Sequence, residues 1–301
     1  MPQIDMHISH NYIKGEKFMI ENEILEQISN QIFEEHQAVL QTAFKDLDVM
    51  LSNIEKSGLI VIGARPAMGK SSFVLCIMQN LLKQNRKCLF FSLDMSIQQT
   101  IKRMLVQLSE IDSYTVTSNE KLKERQYYKE KIKNYMDTIR NYDLTIEDKN
   151  VSINDIEEQI KLVKPEFVFI DSLQLINVSE KKPRPESFEI VVNRLNNIAK
   201  ENGCIIFMTS QLSRALESRF DKRPMLSDLR ESGAIENIAD VVMFIYRDEY
   251  YNTTQDEDYA YNKGRAEIII TKNKNGPVGT VNLLFRNSIM KFMEPICDDT
   301  F

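Results

Sequence analysis

Residues 58–72 read Gly58-Leu59-Ile60-Val61-Ile62-Gly63-Ala64-Arg65-Pro66-Ala67-Met68-Gly69-Lys70-Ser71-Ser72. The run Gly58–Ile62 is continuously apolar, as suits a strand buried on both faces. A helix is expected from about Gly69 to Leu82. Between the two lies the pattern G-x-x-x-x-G-K-[ST] in full. Gly63 and Gly69 allow backbone torsions that a side chain would block. Residues Gly63 to Ser72, with Ala64, Arg65, Pro66, Ala67 and Met68 between the glycines, then form a nest of inward amides for phosphate oxygens. The helix that starts there adds its positive end. Lys70 supplies a cation to the β- and γ-phosphates, and Ser71 a hydroxyl to Mg²⁺. Residue usage alone produces such a match in about one per cent of chains this long. This match also sits between a strand and a helix, where the chemistry requires it.

Outward from this loop the pattern alternates. Apolar strands are expected at 89–93, 144–146, 167–170, 204–208, 241–245 and 268–270. Helices are expected at 97–108, 119–140, 151–162 and 186–201, with Ser152 or Asn154 able to cap the third. The segments 279–285 and 289–293 read as a terminal antiparallel addition. Strands alternating with helices give an α/β fold with a mainly parallel central sheet flanked by helices. Ligands in such sheets bind beyond the carboxyl ends of the strands. Three strand ends there carry chemistry. Asp171 closes 167–170 and is the candidate for holding Mg²⁺ beside Ser71. Asp94 closes 89–93 and either polarises an attacking water or caps the helix after Met95. Gln211 follows 204–208, where a neutral amide can sense a γ-phosphate or simply begin a polar loop.

Upstream, residues 1 to about 18 read as a tail without a leader peptide. Ile24, Leu25, Ile28, Ile32 and Phe33 recur at helical spacing among glutamates, so an amphipathic helix over 20–38 precedes a main domain from Thr42. The division expected is a tail and linker helix at 1–41 and one domain at 42–301.

The 301 residues are 43% hydrophobic and 27% charged, enough apolar matter for a core without disulfides. No apolar run reaches membrane-spanning length. Net charge is −6, so any nucleic acid must be met locally rather than by the overall field. Cys76, Cys88, Cys204 and Cys297 show no CxxC spacing and read as reduced, buried thiols of a cytoplasmic protein.

Longer stretches carry a resemblance. TAFKDLDVML at 42–51, GARPAMGKSS at 63–72, FFSLDMS at 90–96, FIDSLQLI at 169–176, the segment 209–251 with SDLRESG inside it, and AEIIITKNKNGPVGT at 266–280 are similar to DnaB-type replicative helicases of the RecA-like superfamily. The resemblance runs from about Thr42 to Phe292. It implies a RecA-like P-loop NTPase core that uses ATP and Mg²⁺. It also implies a homo-oligomeric ring, usually hexameric, with ATP at subunit interfaces and single-stranded DNA in the channel. By position, Lys70 and Ser71 bind phosphate and Mg²⁺, Asp171 is the metal-side carboxylate, Asp94 the catalytic carboxylate and Gln211 the γ-phosphate sensor. Arg230, Glu231 and Gly233 fall in the DNA-gripping loop. Lys272 and Lys274 fall where the family reaches into the neighbour's ATP, and the turn signal Asn275-Gly276 suits a projecting hairpin.

The residues from Leu212 to Gly233 mix five basic residues with Glu217, Asp221, Asp228 and Glu231, so they are no simple basic patch. Lys181, Lys182 and Arg184 offer a second channel wall. Asp94 stands where the family has Glu, and Lys274 where it usually has Arg, which loses a planar two-pronged donor. The residues before the motor have room for the linker helix but not for the family's helical N-terminal domain, which puts a primase contact in question; a helicase loader is a further partner. The function expected is an ATP-dependent replicative-type DNA helicase. Its rival is an ATP- and DNA-binding scaffold of replication or plasmid maintenance with weak or no hydrolysis. A recombinase-like ATPase is disfavoured by SDLRESG.

Overall fold

The computed structural model describes residues 12–13, 16–17, 40–118, 126–178, 184–229, 232–251 and 263–295. The chain divides into two units, Met1–Val39 and Leu40–Phe301. In the first, Tyr12–Ile13 pairs antiparallel with Glu16–Lys17, where the sequence reads as a patternless tail. The helix expected over 20–38 lies outside the described residues.

The second unit opens with α1 (Lys45–Met50) and alternates from there. Its elements are β1 (Gly58–Ala64), α2 (Lys70–Lys83), β2 (Cys88–Ser92), α3 (Ile97–Ser109), α4 (Ser113–Ser118), α5 (Gln126–Arg140) and β3 (Leu144–Glu147). They continue with α6 (Ile153–Val163), β4 (Phe167–Asp171), α7 (Arg184–Asn202), β5 (Ile205–Gln211), α8 (Ser232–Ile238) and β6 (Val241–Tyr246). The strands β7 (Arg265–Asn273), β8 (Gly279–Arg286) and β9 (Lys291–Met293) complete one nine-stranded sheet in the order β9-β8-β7-β6-β1-β5-β4-β2-β3. From β6 to β3 all neighbours are parallel, and β7, β8 and β9 add antiparallel on the far side of β6.

The alternation read from sequence therefore gives the expected α/β architecture. All seven residues of β1 are buried, because a central parallel strand has helices on both faces. One face (Leu59, Val61, Val168, Ile170, Ile206 and Met208) packs with Ile156, Ile160, Val192 and Leu195 of α6 and α7. On the other, Phe169 stacks on Phe207 at 4.9 Å. Phe73 of α2 meets Phe292 of β9 edge-on at 5.1 Å, tying the antiparallel strands to the phosphate-loop helix.

Helix starts follow local chemistry. Ser96 caps α3 reciprocally with Gln99, and Ser152 caps α6 with Asp155. Ser152 thus takes the cap from Asn154, and Ser96 rather than Asp94 caps α3. Cys76, Cys88 and Cys204 are buried free thiols, as expected; Cys297 lies outside the described residues. No helix among the described residues is long and apolar enough to cross a membrane.

Candidate nucleotide site

The register sets the site. Ala64 lies opposite Gln211 in β5, and Ser92 opposite Asp171, so β1, β2, β4 and β5 end together on one edge of the sheet. The glycine loop leaves β1 at that edge and enters α2.

Gly63 and Gly69 are required for different reasons. Gly69 has φ +95° at the N-cap of α2, a conformation that favours glycine. Gly63 stays in the sheet, and a Cβ there would come within 2.6 Å of the Phe244 ring and 3.0 Å of Leu212. Its need is close packing rather than torsional freedom. Ala67 also takes a left-handed φ, +65°. Of the ten cradle residues, Gly63, Ala64, Met68 and Ser72 are buried, whereas Arg65, Pro66, Ala67, Gly69, Lys70 and Ser71 reach the surface of the cleft at least in part. The amides of Lys70, Ser71 and Ser72 precede the first i→i−4 bond of α2, from the Phe73 amide to the Gly69 carbonyl at 2.9 Å.

Two arginines clamp the loop. Arg65 donates to the Leu212 carbonyl at 3.0 Å and pairs with Glu217 at 2.6 Å. Arg247, just beyond β6, donates to the Ala67 carbonyl at 3.2 Å.

Lys70 Nζ lies 3.9 Å from Asp171 Oδ1. Burial pushes the Lys70 ammonium below its usual range, and Asp171 and then Asp94 oppose that shift. An anion brought to the loop would favour the charged form. Asp171 is 1% exposed. Its Oδ1 accepts from Thr209 Oγ1 at 2.5 Å, while its Oδ2 is buried with no hydrogen-bond donor. An uncompensated carboxylate oxygen at this point suits a cation. Among the described residues no group of three or more His, Cys, Asp or Glu gathers to hold a metal. An ion here would have to take most of its ligands from phosphate and water, as Mg²⁺ does.

Asp94 is exposed at the same edge, its amide donating to the Asp171 carbonyl at 3.2 Å. It lines a cavity of about 510 Å³ with Gln99, Lys102, Arg103 and Tyr114. Arg103 was not a candidate from sequence. Burial lowers its pKa, opposed by the charges of Asp171 and then Asp94, and it shares the lining of this cavity with Asp94. It follows Gln99 by four residues on α3, and that shared helix face was the available signal. Gln211 has an exposed side chain, and its amide donates to Gln174 Oε1 at 3.2 Å. Gln174 also donates to Ser210 Oγ at 2.9 Å, which ties the loop after β4 to the end of β5. Thr209, Gln174 and Arg247 were likewise missed; a charged residue directly following a buried strand, as Arg247 does, was a legible signal.

Lys272 and Lys274 are not brought to this site. Asn273 pairs with Val241 at the start of β6, and the Lys274 amide donates to the Asp240 carbonyl at 2.9 Å. Along the strands, Lys272 is level with Val61 and Lys274 with Leu59, so they sit about 10 and 17 Å back from the loop end of β1 at ~3.3 Å per residue. Lys272 Nζ donates to the Glu236 and Asn237 carbonyls at 2.6 and 3.2 Å, capping the last turn of α8. Lys274 is 61% exposed, 3.7 Å from Asp240.

Gly233 is exposed near the start of α8, with open space where a Cβ would go. Arg230 and Glu231 lie outside the described residues, as do Lys181 and Lys182 and the side chain of Arg184. Arg219 and Arg223 are engaged by Asp228 and Glu267, each at 2.7 Å, so the preceding segment is not a free basic patch.

The model of the DnaB-like helicase C terminal domain matches residues 39–294. The replicative DNA helicase DnaB of Geobacillus stearothermophilus is 39% identical over 261 residues, 84% of this chain and 56% of that protein. The DnaB helicase of Haemophilus influenzae is 36% identical over 268 residues, 86% of this chain and 56% of that one. Among solved structures, an isolated ATPase domain superposes with a TM-score of 0.84 at 32% identity, covering 91% of this chain and 98% of that chain. A DnaB-like replicative helicase solved in a study of its interactions with primase gives 0.85 at 31% identity, covering 91% and 68%. The chain spans little more than half the length of the curated relatives it matches. On the family match over residues 39–294 and these relatives, the chain belongs to the DnaB-like helicase C-terminal domain family.

Proposed function

We propose that this chain is the ATP-hydrolysing motor of a replicative-type DNA helicase, acting as a homo-oligomeric ring on single-stranded DNA. The observation that carries the reading is the split of its charged groups. Lys70, Ser71, Asp171, Asp94 and Gln211 share one edge of the sheet, while Lys272 and Lys274 sit back from it, about 10 and 17 Å along the strands, with the Lys272 ammonium on the far-edge carbonyls of α8. Two halves of one catalytic constellation held apart in this way meet when copies pack head to tail.

In this reading the loop amides and Lys70 bind the phosphates, and Arg103 faces the terminal one. Ser71 and Asp171 would hold Mg²⁺, which supplies charge neutralisation at the phosphate oxygens. Asp94 orients the attacking water and accepts its proton, and Gln211 senses the γ-phosphate. The neighbour's Lys272 and Lys274 stabilise charge as the leaving oxygen departs. Lys272 must leave the carbonyls of α8 to do so, and α8 contains Gly233. Release of that cap links the nucleotide to the loop expected to grip DNA at Arg230, Glu231 and Gly233. A helicase loader is a further partner in this reading.

The test is steady-state ATP hydrolysis with and without single-stranded DNA, on protein whose assembly is followed by light scattering. DNA-stimulated turnover by an assembled ring, abolished by Lys70→Ala, supports the motor. An assembled, DNA-bound ring that turns over no faster than Lys70→Ala would sink it and leave the scaffold reading, which the shorter arm of Asp94 favours.

A further inference from the structure

Arg247 is only 7% exposed. A buried guanidinium keeps its charge and needs partners for its whole fork. Nε donates to Glu249 Oε1 at 3.2 Å, and Nη2 reaches the same oxygen. Nη1 donates to the Ala67 carbonyl at 3.2 Å. The guanidinium carbon lies 4.1 Å from the centroid of the Phe285 ring. Glu249 uses its other oxygen to accept the Gly264 amide at 2.8 Å, and the Gly264 carbonyl accepts the Phe285 amide at 2.6 Å. The contact on Ala67 is therefore the end of a chain rooted in β8.

Ala67 is the residue in the glycine loop that needs holding. Its left-handed φ of +65° is unfavourable for a side chain with a Cβ and persists only where the surroundings impose it. The Arg247 bond fixes the carbonyl of that residue, and with it the peptide plane joining Ala67 to Met68. Arg65 anchors the other end of the same turn, to the Leu212 carbonyl and to a half-exposed glutamate.

We propose that Arg247 is a positioning residue of the phosphate loop. Carried by Glu249 and Phe285, it fixes the Ala67 carbonyl and so presets the loop for phosphate before nucleotide arrives. Its consequence for ATP rests on the nucleotide-binding reading above; the bracing of the loop does not.

Arg247→Lys separates this role from simple ion pairing. Lysine keeps a cation beside Glu249 but lacks the fork that spans Glu249 and Ala67. Glu249→Gln does the reverse, leaving the donor on Ala67 and removing the ion pair. Amide hydrogen exchange over residues 64–71 without nucleotide, thermal unfolding, and equilibrium binding of a fluorescent ATP analogue with Mg²⁺ are read on all three proteins. Arg247→Lys is expected to stay folded, to exchange the loop amides at least about tenfold faster and to bind the analogue about tenfold more weakly, the scale of one charge-assisted hydrogen bond. Glu249→Gln is expected to keep loop exchange within about threefold of the parent, a shift smaller than that bond. Parental loop exchange in folded Arg247→Lys would overturn the proposal. Should the parent bind the analogue no better than Lys70→Ala, the nucleotide reading fails, while the exchange result still decides the bracing.

Discussion

Thr209→Val isolates the bond that orients the acidic residue of the phosphate site. Thr209 is fully buried in β5 and donates to Asp171 Oδ1 at 2.5 Å. Valine keeps the branched shape, so strand and packing are preserved and the hydroxyl alone is lost. A hydrogen bond to a charged group is worth ~1.5–3 kcal/mol net. Asp171 cannot recover it from solvent at 1% exposure, and Lys70 at 3.9 Å is beyond hydrogen-bond range. A loss of about 2 kcal/mol lowers the unfolding midpoint of a domain this size by roughly 4–8 °C. Urea unfolding with an unchanged slope reads the same quantity directly. The control is the cycle with Asp171→Asn, in which Thr209→Val should cost at least ~1 kcal/mol less because no carboxylate is left unpaired. A midpoint within about 1 °C of the parent, well below the expected shift, would refute the reasoning. So would equal costs in both backgrounds.

Gly63→Ala forces its new methyl against Phe244 and Leu212 and should cost ~1–3 kcal/mol in urea unfolding, with part recovered by Phe244→Leu. Asp94→Glu restores the arm length of the family's usual residue and should raise turnover with little change in KM, since Asp94 is assigned to the water rather than to nucleotide binding; unchanged or lower kcat counts against that assignment. Burial pushes the thiols of Cys76 and Cys204 up to about 11 and that of Cys88 to about 12. All three should therefore resist iodoacetamide at pH 8 in the folded protein and react once unfolded, as read by peptide mass spectrometry. Because the folded thiols titrate above the unfolded value of 9.0, their contribution to stability is full below pH 9 and is lost as pH rises through about 11. Stability that holds flat across that window would contradict their burial.

The strand alternation and the phosphate loop were legible because both are local. An apolar run such as Phe167–Ile170 ending in Asp171 carries its own burial and its own polar terminus. What sequence could not supply were contacts between distant segments. The reason for Gly63 is the ring of Phe244 across the sheet. Arg103 reads as one more basic residue on an amphipathic helix until folding sets it in one cavity with Asp94. The 265–273 strand gives no hint that Lys272 caps α8. Helix α5 shows the converse limit: its apolar spacing is clear, yet none of its residues is buried in this unit.

In the proposed ring, one catalytic site is completed by two subunits. Turnover per subunit, measured against protein concentration through the range where light scattering reports assembly, tests it most directly. The expected result is a specific activity near zero in the dilute monomer that climbs with assembly to a plateau, and that Lys272→Ala/Lys274→Ala flattens without preventing assembly. A specific activity that is constant from monomer to ring would contradict it.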